Sequence, residues 1–131
     1  WAEGAKEKEY KLGQGVSFSN SDYKMIKLFI EWLKRCLKLP EDRIVFDIYI
    51  HENNKYRLDE VKSFWSKVTG FSIDKFGKIY FKKHKIKTLR RNVNNNYNGL
   101  LRVKVTKSTY LNRRIAGWIE GICSKWEIVQ R

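Results

Sequence analysis

Proline is almost missing from this chain, with Pro40 the only one in 131 residues. That excludes Pro-rich linkers, and no low-complexity spacer divides the sequence, so residues 1–131 read as a single domain. Cysteine is nearly as scarce. Cys36 and Cys123 both fall on apolar stripes of predicted helices. Buried free thiols are the expectation, with a disulfide as the alternative. No Cys/His spacing suits zinc, and His51 and His84 are isolated. No apolar run approaches the ~20 residues of a membrane span, and no signal-peptide pattern is present. An intracellular, cytoplasmic protein with no membrane partner is expected. A Gly-rich phosphate loop and a nucleophile–His motif are both missing, which argues against common small-molecule enzyme classes.

The most informative shortage is of acid. From Lys75 to Ile119 there is no Asp or Glu, while thirteen Lys and Arg occur there. The rest of the chain holds fifteen basic residues against fourteen acidic ones, so the formal net charge of +14 resides almost wholly in one segment. A Lys-rich composition inherited from an AT-rich genome would scatter the charge. Concentrated charge is what binding to a phosphate backbone requires.

Against these shortages, 42% of the residues are hydrophobic and 15% aromatic, enough for a real core. Residues 10–18 alternate weakly, which predicts a short hairpin or bent strand. Ser19-Asn20-Ser21-Asp22 is a cluster of helix N-cap residues. Met25, Ile26, Phe29, Ile30, Leu33, Cys36 and Leu37 then recur at helical spacing up to Pro40. Ile44 to Ile50 alternates as a strand, and Leu58, Val61, Phe64, Trp65 and Val68 mark a helix closed by Gly70. Ile79 to Lys83 reads as a strand and residues 82–98 as a loop. Leu101, Val103 and Val105 alternate with Arg102 and Lys104. Ser108 and Thr109 are positioned to cap a last helix whose stripe is Leu111, Ile115, Trp118, Ile119, Ile122 and Trp126. Gly117 and Gly121 in that helix have a spacing that can admit a second backbone.

This order predicts an α+β fold: a mostly antiparallel, twisted sheet with helices packed on one face. The opposite face is expected to carry Tyr49, Lys78, Tyr80, Lys82, Arg102 and Lys104. Candidate nucleic-acid contacts are Lys78, Lys82, Lys83, Lys85, Lys87, Arg90, Arg91, Arg102, Lys104 and Lys107. Lys and Arg hold phosphates and also reach guanine edges in the major groove.

One short motif adds to this reading. Trp1-Ala2-Glu3-Gly4 resembles the end of the helix that names the LAGLIDADG homing endonucleases, with Glu3 at the final acid and Gly4 at the final glycine; Trp1 stands where the first acid usually is. Residues 14–22, running into an amphipathic helix, are similar to that family's strand and second helix. Residues 101–111 with Ile115 are similar to its closing strand and helix. The motif begins part-way through, so further residues are expected upstream of Trp1. Residues 115–121 look like a second copy but have their acid at another offset, and read as packing.

The resemblance implies a saddle-shaped sheet seated in the major groove of duplex DNA and a homodimer formed through the motif helices. It implies that Glu3 is both metal ligand and catalytic residue, holding Mg²⁺ for phosphodiester cleavage. Two alternatives stay open. One is a non-catalytic DNA-binding regulator domain. The other is an RNA-binding, maturase-like protein in which Tyr80, Phe81 and Tyr97 stack on unpaired bases.

Overall fold

A computed structural model describes residues 15–83 and 97–126. The described residues open on strand β1, Val16–Asn20, which turns into helix α1, Tyr23–Arg35. The expected cap is present: Asp22 Oδ1 accepts a hydrogen bond from the Lys24 backbone N–H at 2.8 Å. Helix α1 buries Ile26, Ile30 and Leu33 and ends at Arg35, ahead of Pro40. Strand β2, Ile44–His51, sends Ile44, Phe46, Ile48 and Ile50 into the core. Helix α2, Leu58–Thr69, buries Val61 and Trp65 and closes at Gly70 in the left-handed conformation, φ 77°. Strands β3, Lys78–Lys82, and β4, Leu100–Val105, follow, and helix α3, Thr109–Lys125, comes last.

The four strands form one sheet in the order β1-β4-β2-β3. Strand β4 pairs antiparallel with both β1 and β2, whereas β2 and β3 are parallel. The fold is α+β, as expected, but its sheet is mixed. The reason is α2: a helix between two neighbouring strands returns the chain to the end where it began, so the second strand runs the same way.

One core holds the layers together. Trp65, Phe46 and Phe76 are its largest fully buried side chains, and the Phe46 ring stacks on Phe76 at 4.7 Å. Leu111 and Ile115 bring α3 into the same core, so the three described helices lie on one side of the sheet.

Three local expectations are corrected. Cys36 and Cys123 are free but not buried; Cys36 is exposed and Cys123 half-buried. Cys36 follows the last turn of α1, and Cys123 lies beyond Ile115, where α3 leaves the core. Ser108 does not cap α3 with its side chain. Its hydroxyl instead accepts the Val16 N–H at 2.7 Å and pins the start of β1. Gly117 and Gly121 admit no second backbone among the described residues, since a Cβ at either would meet nothing within 4 Å. The distal stripe of α3 stays open: Trp118 and Ile122, with Met25, Leu28 and Trp32 of α1, line an apolar groove of about 520 Å³. Residues 1–14, with the first part of the expected hairpin, lie outside the described residues.

Candidate nucleic-acid interface

Strand alternation sends every second side chain to the face away from the helices. The register brings these side chains into rows. Ser19 lies opposite Arg102, Arg102 opposite Asp47, Asp47 opposite Lys78, and Tyr49 opposite Tyr80. Ser17 and Lys104 are likewise paired, and Lys82 lies opposite His51. The helix-free face, on which no described helix packs, therefore carries Lys78, Lys82, Arg102 and Lys104, together with Tyr49 and Tyr80. All six residues expected there are there.

Their side chains are ordered by one another. Arg102 Nε donates to Ser19 Oγ at 3.0 Å. The Arg102 guanidinium lies 4.9 Å from the centre of the Tyr49 ring, a cation–π distance. Tyr49 stacks on Tyr80, with ring centres 4.9 Å apart and planes within 15°. The Lys82 ammonium is 6.0 Å from the Tyr49 ring. Near-parallel rings at that separation overlap face to face, so they stand up from the sheet instead of lying flat on it. Their edges, not their faces, point away from the sheet.

Asp47 lies beneath these cations and had no role in the sequence reading. It is 2% exposed, and its Oδ2 pairs with Lys104 Nζ at 2.7 Å. Its Oδ1 is buried with no hydrogen-bond partner among the described residues. A carboxylate in that position is costly unless cations surround it, and Arg102 and Lys78 are its neighbours on the adjoining strands. The available signal was its place in the alternation, between Val45 and Tyr49 on a strand facing Arg102 and Lys104.

The edge of β4 nearest this stack is fixed from the core side. Trp65 Nε1 donates to the Asn98 carbonyl at 2.8 Å, and Arg57 Nη1 to the Tyr97 carbonyl at 3.2 Å. Gly99 has φ 72°, and a Cβ there would come within 2.5 Å of the Tyr49 carbonyl oxygen. Only glycine allows this close approach to β2.

Other candidates are placed differently. Lys83 follows the last residue of β3, outside the strand, and is exposed. Lys107 lies in the turn after β4, in the left-handed region at φ 51°, and is not part of the sheet face. Phe81 packs against the core, with Lys55 Nζ 5.5 Å from its ring. Tyr97 also packs against the core; burial pushes its phenol pKa up, partly offset by a hydrogen bond with the His51 backbone. Tyr80 alone of the three aromatic candidates faces outward. Glu3, Lys85, Lys87, Arg90 and Arg91 lie outside the described residues. Among those that are described, no three His, Cys, Asp or Glu side chains gather to hold a metal ion, and no helix is long and apolar enough to cross a membrane. No protein-family model, curated protein or solved structure matches the chain.

Proposed function

We propose that this protein binds duplex DNA through the helix-free face of its sheet. The observation that carries the reading is the gathering of Lys78, Lys82, Arg102 and Lys104 around the Tyr49–Tyr80 stack. Four strands at ~4.8 Å spacing span about 14 Å, comparable with the ~12 Å width of the major groove. The upright rings favour a duplex over a base laid flat on the sheet, because Tyr49 already has Tyr80 and Arg102 against it. What remains toward the ligand is ammonium and guanidinium groups and ring edges, which suit phosphates and groove edges.

Titrating a labelled duplex against salt tests this. Four neutralised phosphates give a slope of log K on log salt of about −4. A flat response would overturn the reading.

The resemblance of Trp1-Ala2-Glu3-Gly4 to the LAGLIDADG motif extends the proposal to a homing-endonuclease-like fold that cleaves DNA with Mg²⁺ held by Glu3. Wild type should nick duplex DNA with Mg²⁺, and Glu3→Ala should not. Equal activity in both would remove the catalytic part and leave a DNA-binding module.

A further inference from the structure

We propose that the outward face of Tyr80 is a docking site for one unpaired nucleobase. The preferred ligand is then duplex DNA carrying an unpaired nucleotide beside the β3 edge. This rests on the helix-free face being the nucleic-acid surface and adds a feature of the substrate.

The argument starts from strand order. Strand β3 ends the sheet, with β2 its one neighbour among the described strands. Across the sheet a row of groups is packed in sequence: Ser19 Oγ against Arg102, Arg102 against Tyr49, and Tyr49 against Tyr80. Arg102 and Tyr49 each have a neighbour on both sides. Tyr80 has Tyr49 on its inner side and remains 48% exposed. The row thus ends in a ring whose second face points past the sheet edge.

That ring is held in place. Ile79 and Phe81 pack against the core on either side of it, which fixes the parity of β3 and prevents Tyr80 from turning inward. Tyr49 restrains the ring plane, so little side-chain freedom is left to lose when a base stacks on it. Lys78 and Lys82 stand two residues before and after Tyr80 on the same exposed side, each ~6.6 Å away along the strand. They are positioned to hold the phosphates flanking the unpaired nucleotide. Base–aromatic stacking tolerates any base, since every base has a π-face. The site therefore reads the lack of pairing and not the sequence.

The test compares three ligands by fluorescence anisotropy: a fully paired duplex, the same duplex with one extra unpaired thymidine, and the same with an unpaired abasic residue. Wild type should bind the thymidine bulge about 5- to 150-fold more tightly than the other two. Tyr80→Leu should erase that preference, binding the bulged, abasic and paired ligands alike. Tyr80→Trp should keep it. Equal binding of all three ligands by wild type, or a preference that survives in Tyr80→Leu, would overturn the inference and leave the duplex reading standing. Failure of wild type to bind any of the three would overturn both.

Discussion

Lys104 and Asp47 show how one residue pair ties stability to the charged face of the sheet. Lys104 has three donors, and the contact at 2.7 Å uses one of them on Asp47. Removing the lysine leaves a carboxylate that is 2% exposed without its counter-ion. Breaking such a pair costs about 3–5 kcal/mol when both partners are buried. With Lys104 about a third exposed, water screens part of this and about 2–3 kcal/mol is expected. Urea unfolding should therefore find Lys104→Met destabilised by that amount, and the Asp47→Asn, Lys104→Met double variant should recover about half of it or more. If the double variant is no more stable than the single one, the carboxylate is not the source of the cost.

At the scale of elements, Ser108 gives the clearest test. Its hydroxyl serves β1 and not α3. Ser108→Ala should leave the helix intact but strand the buried Val16 N–H, at about 1–3 kcal/mol. Hydrogen exchange should show the Val16 amide losing protection while the first turn of α3 keeps its own. Loss confined to α3 would mean that the serine acts as a cap after all. The same residue marks where the sequence stops being legible. A serine ahead of an apolar helical stripe is a sound cap signal, yet a partner 92 residues away took its hydroxyl. Local periodicities were readable because they depend on one element at a time: the alternation of Ile44 to Ile50, the stripe of Ile26, Ile30 and Leu33, and the glycine after Thr69 all appear in the structure. So did the six side chains of the open face, since strand parity decides which way each points. Pairing partners depend on distant chain, and the parallel β2–β3 ladder was missed for that reason. The stripe of α3 is legible as a stripe, but its second half is only partly covered: Trp118 meets Trp32 edge-on at 6.5 Å and Ile119 packs against the core, while Trp118, Ile122 and Trp126 remain exposed.

For the whole molecule, the question is where the charge of +14 acts. Composition alone treats every lysine and arginine alike. The fold does not, because α3 packs on the core side of the sheet and carries Arg113 and Arg114 there. Arg114 lies 5.0 Å from the Trp118 ring and 5.9 Å from that of Tyr110. Replacing Lys78 and Lys82 with glutamine should make the salt slope for duplex DNA shallower by about 1.8. Replacing Arg113 and Arg114 with glutamine removes the same charge and should leave that slope unchanged. Equal loss from both pairs would mean diffuse attraction and no defined face.

The order of strands also sets a constraint on biosynthesis. Strand β1 is hydrogen-bonded to β4, whose Val105 lies opposite Val16. A ribosome adding ~5–20 residues per second needs roughly 4–18 s to make the intervening chain. Through that interval the side of β1 that β4 will pair with has no described partner. The sheet can close only after nearly the whole described length has emerged, so a nascent chain stalled before Leu100 would hold an unmatched β-edge for chaperones or for other strands to capture.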